Sequence, residues 1–137
     1  MTLDNKKDKG RAGLSMAIAY FGSNGYSVSI PLNDTQKYDL VVEKNGIFES
    51  VQCKFGGAKV DNNDDAYECS LRTIGSKGTH HGTVKDSEVD ILFCLRPDKI
   101  MYVIPVKDID NSNTIRLTTK NSKFNSGFDS SKYIVEL

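Results

Sequence analysis

Three residues of unlike chemistry, Asp39, Gln52 and Lys54, stand at spacings that gather them on one side of a β-hairpin. The stretch from Tyr38 to Phe55 has two β-rich arms, Tyr38–Glu43 and Ile47–Phe55, around Asn45-Gly46. Asn-Gly is a preferred pair for a two-residue type I′ turn, because both central residues need positive φ. A turn there sets Lys44 opposite Ile47, Val42 opposite Glu49, Leu40 opposite Val51 and Asp39 opposite Gln52. Side chains alternate along a strand, and opposed residues share a face. Asp39, Gln52 and Lys54 therefore project from one face, and Leu40, Val42, Val51, Cys53 and Phe55 from the other, the core face. A core-backed hairpin has no packing reason to gather a carboxylate, an amide and an ammonium. Phosphodiester hydrolysis supplies one: the carboxylate holds a divalent cation, a second oxygen fixes the ligand geometry, and the lysine steadies the attacking water or the developing charge. Solvated strand faces also carry Asp, Gln and Lys, so the pattern draws its weight from the apolar opposite face and from the helix that precedes it.

That helix is expected over Lys9–Phe21, where Leu14, Ile18 and Phe21 recur on one stripe with Ala17 beside them. Residues 1–9 are polar and expected to be loose, and Gly25 is suited to a left-handed helix cap. Tyr26–Ile30 reads as a strand ended by Pro31. Beyond the hairpin, Ala66–Ile74 alternates Tyr67, Cys69 and Leu71 with Glu68, Ser70 and Arg72, a strand with one wet face. Gly75–Asp86 reads as a glycine-rich basic loop. Val89–Leu95 is a buried strand, with Ile100–Ile104 its antiparallel partner across Arg96-Pro97-Asp98-Lys99. Pro105 opens a short helical turn, Thr114–Thr118 is a short strand, Lys120–Ser131 a loop, and Tyr133–Leu137 an edge strand.

Asp39, a hairpin turn and then Gln52-Cys53-Lys54 together resemble the PD-(D/E)XK nuclease superfamily, whose signature is an Asp, a turn, then an acid, any residue and Lys. With Gln52 in place of the second acid, the chain is most similar to the PD-(D/E)XK homing endonucleases encoded in bacterial group I introns. The resemblance covers roughly Lys9–Ile109. It implies an α/β restriction-endonuclease-like core, with a mixed central sheet flanked by helices and one main helix on the core face. It implies a site-specific endodeoxyribonuclease dependent on Mg²⁺ or Mn²⁺ that cuts both strands of double-stranded DNA. Asp39, Gln52 and the backbone carbonyl of Cys53 would hold the metal, Lys54 would position water, and in-line attack would leave a 5′-phosphate. Cutting both strands implies a homo-oligomer, a dimer at least and a tetramer by the resemblance. Many members carry a Glu on the first helix, expected near position 14. Leu14 stands there, and nothing from Lys9 to Tyr20 is acidic. An enzyme that tolerates the loss and an inactivated chain that still binds DNA both fit. A Holliday-junction resolvase shares the small core, but usually with the helix Glu and a more basic surface.

The 137 residues suffice for one domain over 1–137 with a real core. Charged residues are 26% and the formal net charge is zero, so DNA binding requires an uneven distribution of charge. The distribution is uneven. Lys7, Lys9 and Arg11 cluster near the helix start. Arg72, Lys77, His80, His81 and Lys85 form a stretch without an acid, and Lys120 and Lys123 follow Arg116 in another. These ten, Arg116 aside, are the candidate DNA contacts, and Asn121–Ser126 could reach phosphates or base edges. His80 and His81 are sequence neighbours without a partner ligand at metal-site spacing. Phosphate contacts from this loop fit better, with an ordinary surface loop as the alternative. The acidic run Asp61–Asp65 lacks the Gly and distant Glu of an EF-hand. No apolar run is long enough to span a membrane, and the N-terminus has no apolar signal core. Cys53, Cys69 and Cys94 are odd in number without a CxxC pair, expected to be free thiols in a reducing, cytoplasmic setting.

Overall fold

The structure is a computed structural model that describes residues 5–33, 36–60, 65–74, 80–110, 113–120 and 128–137. Helix α1 spans Lys6–Ser23. It begins before Lys9, and residues 6–9 are helical rather than loose, because Asn5 caps it: the Asp8 amide donates to Asn5 Oδ1 at 2.9 Å. Gly13, Ala17 and Phe21 form its buried stripe, with Leu14 and Ile18 partly buried beside them. The helix ends at Asn24, and Gly25 takes φ +84°, the left-handed conformation that releases the chain into β1 (Ser27–Ser29).

The hairpin forms as its turn chemistry requires. β2 (Leu40–Lys44) and β3 (Ile47–Phe55) pair with Leu40 opposite Val51, Val42 opposite Glu49 and Lys44 opposite Ile47. Asn45 and Gly46 have φ of 54° and 80°. The remaining strands are β4 (Ala58–Lys59), β5 (Tyr67–Ser70), β6 (Arg72–Ile74), β7 (His80–Thr83), β8 (Ile91–Leu95), β9 (Met101–Pro105), β10 (Thr114–Leu117) and β11 (Ile134–Val135). The main sheet has the order β1-β2-β3-β8-β9-β11. It is mixed: β3 and β8 are parallel, and its other pairs are antiparallel. β11 supplies the expected C-terminal edge. A short 3-10 turn, Val106–Asp108, follows Pro105. Two departures concern the middle of the chain. The strand read over Ala66–Ile74 breaks at Leu71 into β5 and β6, and part of the stretch read as a loop is β7, paired with β6.

Each face of the main sheet has its own core. On one face α1 packs against Leu40, Val42, Val51, Ile91, Phe93 and Leu95. On the other, Leu92, Cys94, Tyr102 and Ile104 meet Cys69, Leu71, Ile115 and Leu117 from the small sheets, whose orders are β10-β5-β4 and β6-β7. β8 is buried at all five positions, as expected of a strand covered on both faces. The Arg96 guanidinium, only 3% exposed, bridges the layers. It donates to both Asp98 oxygens, to the Asp65 and Leu117 carbonyls and to the Tyr102 hydroxyl, and it lies 4.7 Å from the Tyr67 ring centre. Burying this cation is tolerable because its donors have partners. The thiols are free: Cys69 and Cys94 are buried with sulfurs 3.6 Å apart, and Cys53 is half-buried. Among the described residues no helix is long and apolar enough to cross a membrane.

Candidate active site

The site grows from the alternation of β3. Val51, Cys53 and Phe55 pack toward α1, so Gln52 and Lys54 face the small sheets. Asp39 lies one residue before β2, and its amide donates to the Val51 carbonyl at 2.8 Å. The strand ladder therefore ends at Leu40, and Asp39 is not paired squarely with Gln52 as the turn register had implied. Its carboxylate nonetheless reaches the expected partners. Asp39 Oδ2 accepts from the Cys53 amide at 2.8 Å and from Gln52 Nε2 at 3.1 Å. The same Gln52 nitrogen lies 3.5 Å from the Cys53 carbonyl. Asp39, Gln52 and the Cys53 backbone thus form one contiguous polar cluster.

Burial raises the Asp39 pKa, and the Cys53 amide and Lys54 ammonium only partly offset that rise, so its carboxyl sits above its usual value. Burial also pushes the Cys53 thiol up, with the Asp39 charge adding to the effect; Cys53 contributes backbone atoms here, not a thiolate. One carboxylate, an amide oxygen and a backbone carbonyl make an all-oxygen donor set suited to a hard divalent ion. Among the described residues no three His, Cys, Asp or Glu side chains group so that they could hold a metal ion. To ligate through its side-chain oxygen, Gln52 must turn its amide, since Nε2 is the atom directed at Asp39.

Lys54 shares this face, and its Nζ donates to the Arg72 carbonyl at 2.8 Å. Arg72 is one of the expected DNA contacts; the structure brings its backbone carbonyl to Lys54 and leaves the residue exposed. Leu14 is partly buried in the helix-side cluster. The helix approaches the site through its neighbour, where a Cβ on Gly13 would lie 3.7 Å from the Lys54 carbonyl oxygen. Asp90, just before β8, is a further carboxylate near β3, and its Oδ2 accepts from the Ser50 amide at 2.9 Å.

The candidate DNA contacts are dispersed. Lys7 and Arg11 are exposed and Lys9 half-exposed on α1, which covers the sheet face opposite Gln52 and Lys54. Lys9 Nζ stands 5.8 Å from the Phe55 ring centre. Lys85 lies in a 3-10 turn after β7, and Lys120 is exposed after β10. Lys77 and Lys123 lie outside the described residues, as do the side chains of His80 and His81. Two participants escaped the sequence, the Cys53 amide and the Arg72 carbonyl. Both are backbone groups, and only the first, by its place between Gln52 and Lys54, left a signal.

Comparison with known proteins bears on this geometry. The sequence profile of a family described as PD-(D/E)XK endonuclease matches residues 4–131. Protein 5.3 of Escherichia phage T7 is 35% identical over 89 residues, which are 64% of this chain and 71% of that protein. The structure of the bacterial homing endonuclease I-Ssp6803I superposes with a TM-score of 0.70 at 23% identity, over 95% of this chain and 87% of the other.

Proposed function

Because the chain belongs to the PD-(D/E)XK endonuclease family, we propose that it is a metal-dependent, site-specific endodeoxyribonuclease of the homing type, acting on double-stranded DNA as a homo-oligomer. The observation that carries this reading is the polar cluster on the hairpin: Asp39, Gln52 and the Cys53 backbone in mutual contact, with Lys54 on the same face. The likeness to I-Ssp6803I supports the homing mode. Mg²⁺ or Mn²⁺, held by Asp39, the Gln52 side-chain oxygen and the Cys53 carbonyl, would polarise the scissile phosphate and acidify water. The protein's own part is positional. The Cys53 amide holds one oxygen of Asp39 in place, and the carboxylate so oriented would be a ligand of the ion. Lys54 brings a positive charge to the side where water attacks and where negative charge grows on the phosphate. Cutting both strands requires two such centres, hence at least two copies of this chain.

The test is cleavage of supercoiled plasmid, and of candidate target sites, with Mg²⁺ or Mn²⁺. The parent chain is expected to cut. Lys54→Ala is expected to lose about 10²–10⁴-fold in rate while keeping its fold and its DNA affinity. A mutant that cuts as well as the parent would show that the centre lies elsewhere.

Leu14 favours a second reading, a DNA-binding protein whose nuclease core no longer cuts, since an apolar side chain packs where a helix carboxylate is expected. Leu14→Glu separates the two readings. Activity gained only in that variant identifies a disabled nuclease. Activity already present in the parent establishes that the Asp39–Gln52–Lys54 set suffices.

A further inference from the structure

An ammonium on four methylenes sweeps a wide volume, so the place of Lys54 on β3 does not by itself fix where its charge sits. The structure fixes it through the Arg72 carbonyl, 2.8 Å from Nζ. The backbone that carries this carbonyl is tied down at several points. At Leu71 the chain leaves one small sheet and enters the other. The Leu71 side chain is fully buried, its amide donates to the Asn113 carbonyl at 2.8 Å, and its carbonyl accepts from the Val84 amide at 2.8 Å. One residue on, the Arg72 amide donates to Ser70 Oγ at 3.3 Å. Because the Val84 amide bonds the Leu71 carbonyl, Arg72 stands opposite Thr83 at a non-hydrogen-bonded position, and its own carbonyl points away from β7.

We propose that the Arg72 backbone carbonyl is the positioning group for the Lys54 ammonium, and that Ser70, by holding the Arg72 amide, is a positioning residue for cleavage. The proposal rests on the nuclease reading of the Asp39–Gln52–Lys54 centre. It gives the small sheets a second role besides covering the core. The lysine's charge is held by the layer that carries the β6–β7 hairpin, so the centre is assembled from two layers and not from one hairpin alone.

The experiment uses the full chain, with Ser70→Ala and Ser70→Thr, and separates the cleavage rate at saturating DNA from DNA affinity. Ser70→Ala is expected to cut about tenfold more slowly, a loss of roughly 1.4 kcal/mol of transition-state stabilisation, with affinity unchanged within about twofold. Ser70→Thr, which keeps the hydroxyl acceptor, is expected to restore the rate. A merely structural role would move stability and affinity together and would not give this split. In protein carrying ¹⁵N-lysine and ¹³C′-arginine, a coupling across the hydrogen bond from Lys54 Nζ to Arg72 C′ is expected in the parent and the Thr variant, and to be lost with Ala. Should Ser70→Ala fail to fold, an ester in place of the Thr73 amide weakens the Arg72 carbonyl as an acceptor without altering a side chain, and it is expected to slow cleavage in the same way. A Ser70→Ala or ester variant that cuts at the parent rate overturns the proposal while leaving the nuclease reading intact. A parent that binds DNA but does not cut with either metal overturns the nuclease reading, and the proposal with it, even if the coupling is seen.

Discussion

On the function proposed above, Asp39 and Gln52 divide the work that two acids share in the family signature. An amide at position 52 can offer Asp39 a hydrogen, and it does, at 3.1 Å; a carboxylate there could only repel it unless a cation or proton came between. Gln52 therefore stabilises the charged Asp39 in the folded chain, at the cost of a weaker claim on a metal. Gln52→Glu reverses the balance. Two carboxylates in contact disfavour joint ionisation, so the variant is expected to unfold at a lower temperature than the parent without divalent ions. Adding Mn²⁺ should raise its unfolding temperature by more than it raises the parent's, because an ion that binds only the folded state stabilises it by mass action. Thermal unfolding with and without Mn²⁺ measures this in the absence of DNA. An equal Mn²⁺ shift in parent and variant would show that position 52 does not face the ion.

Among the elements, the hairpin was the most legible in the sequence because its register is decided locally. Asn45-Gly46 fixes the turn, period-two alternation assigns the faces, and Leu40, Val42 and Val51 are buried where that alternation puts them. The start of α1 was legible in principle, since Asn5 stands three residues before Asp8, but the surrounding lysines masked the cap. β7 was not legible: His-His-Gly-Thr lacks apolar alternation, and it becomes a strand by pairing with β6. The Lys54–Arg72 contact depends on how layers stack, and no local pattern encodes that. The same is true of Asp65, which ties the entry to β5 to the exit from β10. Its carboxylate accepts from the Thr119 amide at 2.9 Å and from the Thr119 hydroxyl at 2.7 Å, and it lies 3.5 Å from Arg96 Nη1. Burial works to raise its pKa, but the Thr119 donors and Arg96 together lower it below the usual carboxylate value. A lowered folded-state pKa contributes stability that is fully present above the unfolded value, about 3.9, and is lost as pH falls through the folded one. Asp65→Asn is therefore expected to lower the unfolding midpoint at neutral pH, with the gap to the parent closing as pH drops through that acidic range. Denaturant unfolding at several pH values checks this, and a gap that stays constant down to the lowest pH would remove the charge from the explanation.

At the scale of the whole molecule, the site depends on three layers keeping their spacing: α1, the mixed sheet and the small sheets. Of the candidate DNA contacts, Lys7 and Arg11 are exposed on α1, and Arg72 and Lys120 are exposed on the side of the small sheets. The basic residues expected to meet DNA are thus not gathered on one face. Sheet and outer layer approach closely at Gly56, directly after β3. The Gly56 amide donates to the Leu95 carbonyl at 2.9 Å, which continues the β3–β8 edge. A Cβ at Gly56 would fall 2.5 Å from Leu117 Cδ1 and 3.4 Å from Cys69 Cβ. Leu117 is fully buried, so its methyl has little room to retreat, and overpacking of this kind costs about 1–3 kcal/mol. Gly56→Ala is expected to lose stability in that range. It should also slow cleavage more than its stability loss alone would, because the displaced layer carries the Arg72 carbonyl that holds Lys54. Shortening the opposing side chain tests the geometry. In Gly56→Ala/Leu117→Val the clash is relieved, so the double variant is expected to be more stable than the sum of the two single losses predicts, a coupling of the kind that neighbouring sites show. Strict additivity in denaturant unfolding would mean that the layers adjust freely at this joint, and that the spacing of the site is set elsewhere.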